Sequence, residues 1–163
     1  MANQYCTIVE SPIGQLSIFA DDDFVNKITF KKMDPSDLTE NKVTRLAGLQ
    51  LAEYFEGKRQ SFNLPINQSG TDFQQSVWKG LTTIKYGTTI SYLQFSTQLN
   101  NVLAIRAIAA ANGKNDLAII IPCHRVIGSN GKLVGYAGEL WRKQWLLDHE
   151  REVSQQGQMT LRF

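Results

Sequence analysis

Cysteine is scarce in this 163-residue chain: Cys6 and Cys123 are the only two, far apart and without a CxxC pair. That argues against a disulfide framework and against a thiolate zinc site, so each thiol has to be judged alone. Histidine is as rare, at two residues, and no group of His and Cys has zinc spacing; no metal is expected. Charge of one sign is missing too. The 17 Lys and Arg against 15 Asp and Glu leave +2, too little to announce a polyanionic partner, so any case for nucleic acid must come from local features. No apolar run approaches the roughly 20 residues of a membrane span, and the first residues lack a basic, apolar, small-residue signal pattern. No membrane association is expected, and the cytoplasm, or the nucleus in a eukaryote, is the expected location.

What is present is an ordinary globular composition, 42% hydrophobic and 20% charged, in a length that allows one compact domain or two small ones. Tyr5, Thr7 and Val9, then Leu16, Ile18 and Ala20, then Val25, Ile28 and Phe30 alternate as half-buried strands do, with Pro12 and Gly14 marking the first turn. Asp34-Pro35 reads as a helix start, followed by Val43, Leu46, Ala47, Leu51 and Tyr54 at helical spacing until Gly57. A polar stretch at Asn67-Gln68-Ser69-Gly70 reads as a linker, and the pattern beyond it is mainly helical. The division expected is therefore an α/β unit over 1–66 and a mainly α unit over 67–163.

Two capping-box spacings, Thr71 with Gln74 and Ser91 with Gln94, open helices in the second part. Phe73, Val77, Leu81 and Ile84 give the first an apolar face. The second breaks at Asn100-Asn101 and another periodic run follows from Val102 to Ala111, a spacing that fits a helix-turn-helix or a plain helical hairpin. In that last run Val102, Ile105, Ile108 and Ala109 form one face and Leu103, Arg106, Ala107 and Ala110 another. Alanines let a helix backbone come close to a groove floor and leave Arg106 to reach inward; equally, alanine is simply the best helix former.

Ala118 to Ile121 reads as a short buried strand that Pro122 ends, directly before Cys123 and His124. A cysteine attacks carbon as a thiolate, and a neighbouring imidazole can take its proton directly or through one water. A lone buried cysteine can also be an inert small hydrophobe. A papain-type protease is a poor fit, since neither of that class's local signatures surrounds the Cys or a distant His.

The octapeptide Ile121-Pro122-Cys123-His124-Arg125-Val126-Ile127-Gly128 closely resembles the active-site signature of the O6-alkylguanine-DNA alkyltransferases, the methylated-DNA-protein-cysteine methyltransferases. The resemblance runs from Phe73 to Glu150 through Val77-Trp78, Tyr86-Gly87, Ile90-Ser91-Tyr92, Arg106-Ala107, Asn112-Gly113, Asn115, Gly135-Tyr136-Ala137-Gly138 and Leu146-Leu147. It implies a small N-terminal ribonuclease H-like α/β unit that buttresses a C-terminal winged-helix-like domain carrying the DNA-binding surface and the active site. The implied activity is irreversible transfer of a methyl or other alkyl group from O6 of guanine, or O4 of thymine, in a flipped-out nucleotide to Cys123, once per molecule. The implied partner is double-stranded DNA bearing O6-alkylguanine, bound through the minor groove by a monomer. The base is itself the alkyl donor, so no cofactor is implied.

By the same resemblance, His124 draws the thiol proton through water, Glu150 orients the imidazole, and Asn115 ties the active-site turn. Tyr92 crowds a phosphate and hydrogen-bonds the base. The carbonyls of Cys123 and Val126 accept from the exocyclic amine, the Ala137 amide donates toward O6, and Tyr136, Ala137 and Gly138 close over the base, with Asn130-Gly131 turning the chain into that loop. Arg106 enters the base stack, Ala107 and Ala110 line the groove, and Asn101 and Ser129 touch the DNA backbone. Two positions depart from the family pattern: Asp116 replaces the usual proline and Glu139 the usual second glycine. Cys123 is the reactive residue that a damage-sensing class of relatives lacks, which separates repair from non-catalytic binding of alkylated DNA. A helix-turn-helix regulator ranks behind both, because nothing resembles a dimerisation segment.

Overall fold

The computed structural model describes residues 3–32, 38–128, 130–131, 133–136 and 138–161, the last six of these by backbone alone. The chain forms two compact units, Met1–Ser69 with Asp116–Ile120, and Gly70–Asn115 with Ile121–Phe163. The polar stretch does carry a boundary, but the expected division at 66 and 67 misplaced Asp116–Ile120. Long-range pairing returns that segment to the first unit: Ile28 N donates to Asp116 O at 2.8 Å, Ile28 bridges to Leu117, and Asp116 N donates to Gln68 Oε1 at 2.9 Å.

In the first unit, β1 (Tyr5–Ser11), β2 (Gly14–Ala20) and β3 (Val25–Thr29) form an antiparallel sheet in the order β1-β2-β3. Gly14 makes the first hairpin possible by taking φ 107°, while Ser11 Oγ holds the turn by donating to Gly14 O. The middle strand is buried over its last five residues, Ser17 and Phe19 included, so its alternation marks faces rather than exposure. Helix α1 (Lys42–Phe55) lies against Thr7, Val9 and Ile18, and Gly48 sits where a Cβ would come within 3.3 Å of Val9. The helix starts later than Asp34-Pro35 suggested: Asn41 accepts from Thr44 N, and the Thr44 hydroxyl accepts from Asn41 N. Residues 33–37 lie outside the described residues.

In the second unit, α2 (Asp72–Leu81) and α3 (Tyr92–Gln98) begin with the two capping boxes read from the sequence. Asn100 takes φ 56°, a left-handed conformation that Asn tolerates, and turns the chain through a 3-10 segment (Val102–Ala104) into α4 (Ile105–Gly113). Phe95, Ile108 and Leu81 are fully buried, and Trp78 Nε1 donates to Ala111 O at 2.8 Å, so α2, α3 and α4 share one core. Val102 is 47% exposed and does not join the face assigned to it. Short strands β4 (Ile90–Ser91) and β5 (Val126–Ile127) pair in parallel, and α5 (Leu140–Leu161) follows. Among the described residues no helix is long and apolar enough to cross a membrane.

Candidate active site

Ala118 to Ile121 is not a strand. Its apolar run records burial only, and the backbone folds instead into tight i→i+2 contacts, Ile120 N to Ala118 O and Cys123 N to Ile121 O, both 2.8 Å. Ile119 sits among them at φ 72°, costly for a β-branched residue and tolerated because its side chain is buried. This turn, with Pro122 leading into a 3-10 segment at Cys123–Arg125, aims consecutive residues in different directions. Asn115 Nδ2 donates to Ile121 O at 2.9 Å and pins the approach to Cys123.

Cys123 is 6% exposed and faces a cavity of about 280 Å³ lined by Tyr92, Asn112, Asn115, Val134, Gly135 and Tyr136, among others. Burial pushes its thiol up, while Asn115 and the charge of Lys143 pull the other way. Next to it, His124 is wholly buried and its Nε2 lies 2.7 Å from Glu150 Oε2. A carboxylate only accepts, so Nε2 carries the proton and Nδ1 is the basic nitrogen; Nδ1 is buried with no hydrogen-bond partner among the described residues. Burial lowers the imidazole's proton affinity and Glu150 restores part of it.

Glu150 was expected near a helix end; it lies within α5, completely buried. Its burial opposes ionisation, but His124 and Arg125 outweigh that and hold the carboxyl well below the usual carboxylate range. Arg125 grips both oxygens, Nε to Oε1 at 2.8 Å and Nη2 to Oε2 at 3.1 Å, and donates from Nη1 to Ile84 O. Gly87 N adds a bond to Oε1 at 3.2 Å, and a side chain at Gly87 would collide with Ser154. The carboxylate is thus held from several sides before it orients the imidazole.

Two contributors were not assigned roles from the sequence. Lys143 is fully buried, yet its Nζ donates to the carbonyls of Val126 (2.7 Å), Val134 (2.9 Å) and Gly135 (3.4 Å), using all three protons to tie the pocket wall. Burial pulls its ammonium down to about 8. Helical spacing from Glu150 back through Leu146 puts Lys143 on the same buried face, a signal that was legible. Asn112 is the other: its Nδ2 donates to Tyr92 Oη at 2.9 Å and approaches Cys123 O at 3.4 Å.

Helix α4 serves two sides. Ala109, Asn112 and Gly113 line the cavity, whereas Leu103, Arg106, Ala107 and Ala110 are exposed as one outward stripe, with Asn101 exposed in the turn before it. Val126 follows the Cys-His turn in β5, and Gly138 is buried at the end of the loop carrying Tyr136. Ser129 and Ala137 lie outside the described residues. At Asn130-Gly131 the chain turns, with Gly131 at φ 80° donating to Gly128 O, and no paired strands flank it among the described residues. A wider depression edged by Thr83, Lys85, Thr88, Leu93 and Gln94 has no cysteine, histidine or carboxylate on its walls. Among the described residues no group of three or more His, Cys, Asp or Glu side chains could hold a metal ion.

Comparison with known proteins meets this geometry from outside. Residues 72–152 match the model of the 6-O-methylguanine DNA methyltransferase DNA-binding domain, and residues 4–68 match that family's ribonuclease-like domain. The methylated-DNA-protein-cysteine methyltransferase of Methanosarcina barkeri is 45% identical, over 90% of this chain and 96% of its own. The constitutive Bacillus subtilis enzyme of that name is 42% identical, over 90% and 95%. The crystal structure of the Mycobacterium tuberculosis O6-methylguanine methyltransferase aligns with a TM-score of 0.82 at 40% identity, covering 91% of this chain and 93% of that one. The same organism's OGT solved in complex with DNA gives 0.82 at 38%, covering 91% and 94%. With a reactive thiol in a closed pocket, a buried His-Glu pair behind it and both domain models matched in order, the chain belongs to the 6-O-methylguanine DNA methyltransferase family.

Proposed function

We propose that this chain repairs DNA by accepting, on Sγ of Cys123, the alkyl group carried by O6 of an alkylated guanine, once per molecule. The observation that carries the reading is the pairing of a pocket-facing Cys123 with the adjacent His124, whose Nε2 is committed to Glu150 and whose buried Nδ1 is left for a proton. The thiol proton passes to Nδ1 through a water. The Sγ–C bond forms as the O6–C bond breaks, the electron pair passes into the purine, and the ring takes up one proton to leave as guanine. A thioether has no leaving group that this chain could expel, so the cysteine is not regenerated.

No side chain reaches the alkyl carbon in line while the base is stacked, so the nucleotide must rotate out of the duplex, at a cost of a few kcal/mol. The outward stripe of α4 fits that task. Ala107 and Ala110 permit close approach to the minor groove, Arg106 fills the vacated stack, and Asn101 and Ser129 meet the DNA backbone. Tyr92, with Tyr136, Ala137 and Gly138, encloses the flipped base, and the Val126 and Cys123 carbonyls face its amine. The protein acts as a monomer in the cytoplasm, or in the nucleus of a eukaryote.

Intact and peptide mass spectrometry after mixing with one equivalent of duplex containing O6-methylguanine tests this directly. Gain of one methyl on the peptide holding Cys123, saturating at one per protein, is the expected outcome. Lesion binding without mass gain would reassign the chain to damage sensing.

A further inference from the structure

Asn112 is 5% exposed and lines the pocket, and its amide orientation is decided by chemistry rather than by shape. The Cys123 carbonyl can only accept, so the amide nitrogen must be the atom that faces it and Tyr92 Oη. Two consequences follow from that orientation. Tyr92 Oη accepts from Asn112, and no acceptor among the described residues takes its proton. Asn112 Oδ1 is left buried without a hydrogen-bond partner among the described residues, a state costly enough to need an explanation.

The Cys123 carbonyl is meanwhile engaged by Val126 N and approached by Asn112 Nδ2, so it has little capacity left for a ligand. The pocket wall therefore presents one unspent donor, the Tyr92 hydroxyl, beside one unspent acceptor, Asn112 Oδ1. O6-alkylguanine offers the complement: a 2-amino donor flanked by ring nitrogens that are bare acceptors once O6 is alkylated. O4-alkylthymine has acceptors on the corresponding edge and no amino donor.

We propose that Asn112 is a specificity-determining residue whose Oδ1 accepts from the 2-amino group of the flipped guanine, while its Nδ2 directs the Tyr92 hydroxyl onto a neighbouring ring nitrogen. This rests on the alkyl-transfer reading above. It makes the protein a guanine reader, since a thymine lesion leaves Oδ1 buried and unsatisfied.

Single-turnover rates on duplexes that differ only in O6-methylguanine or O6-methylhypoxanthine, which lacks the amine, isolate the contact. The wild-type protein is expected to be about 3- to 10-fold slower on the hypoxanthine, the net worth of one hydrogen bond. In Asn112→Met that ratio falls toward one, and in Asn112→Asp, which keeps an acceptor oxygen, it persists. A purely structural role would slow both substrates alike and leave the ratio of Asn112→Met at its wild-type value, which would overturn the proposal. Should Asn112→Met fail to fold by circular dichroism, Asn112→Ser, too short to reach the amine, takes its place with the same expectation. Equal wild-type rates on both duplexes defeat the assignment of Asn112 alone. Transfer from neither defeats the underlying reading of the reaction.

Discussion

Cys6 and Cys123 are equally hidden, 5% and 6% exposed, and burial pushes both thiols up. Their neighbours separate them. Cys6 lies in β1 with its N–H bonded to Thr39 O, and Glu40 adds a negative charge that further disfavours a thiolate. Cys123 ends a strained turn, faces a cavity, has Asn115 and Lys143 favouring its anion, and adjoins an imidazole with a free basic nitrogen. Solvent exposure alone would rank these two residues together; reactivity depends on what the buried atom can exchange protons with and on whether a substrate has room beside it.

The largest effect should come from removing the thiols one at a time. Cys123→Ser is expected to abolish alkyl transfer in a single-turnover assay, and Cys6→Ser to leave the rate near that of the wild type; activity lost with Cys6 would end the contrast. Next in size is Glu150→Gln, which leaves Arg125 buried without its counter-charge. It should cost about 3 to 5 kcal/mol in urea unfolding and slow transfer by roughly 10²- to 10⁴-fold, making Cys123 more like Cys6. The pH dependence is signed. Glu150 and His124 have folded affinities for protons below their ordinary 4.5 and 6.5, so the unfolded chain binds more protons in acid. Their stabilisation is complete above about pH 6.5, starts to fall as pH drops through that value and falls further below 4.5. The glutamine variant should lose the lower step.

A smaller change sharpens the same contrast. Methylating Cys123 adds carbon to a packed site and should destabilise the protein by about 1 to 3 kcal/mol; equal melting temperatures of free and methylated protein would refute it. The smallest effect is at the pocket mouth. Glu139 takes φ 76°, so Glu139→Gly removes left-handed strain of about 1 to 2 kcal/mol. Glycine's greater freedom in the unfolded chain returns about 0.4 to 1 kcal/mol, and the Glu139 bond to Trp141 Nε1 is lost. A small net gain in melting temperature is expected, with iodoacetamide labelling of Cys123 unchanged. Methyl and benzyl transfer rates then report whether this loop sets tolerance for bulky adducts, the benzyl rate being the one expected to move.

Much of the fold was legible because its signals are local. Thr71 with Gln74 and Ser91 with Gln94 cap helices through contacts three residues apart, and the break at Asn100 is a property of that residue type. The outward stripe of α4 followed from helical phase alone. Asn41 was missed as the cap of α1 because Asp34-Pro35 carries an equally good local start signal. The run at 118–121 misled for a related reason: apolar side chains report burial, not whether the backbone extends or turns.

By itself the sequence determined the helix starts, the exposed alanine and arginine face and the Pro-Cys-His signature, since each depends on residue type at short separation. Only the tertiary structure decided which atoms are left unspent. That Glu150 is buried between His124 and Arg125, that Lys143 ties three carbonyls, and that Asn112 keeps one free acceptor beside Tyr92 all depend on groups brought together from distant parts of the chain. Hydrogen-bond capacity is a local property of a side chain, but its satisfaction is set by neighbours that sequence order does not specify.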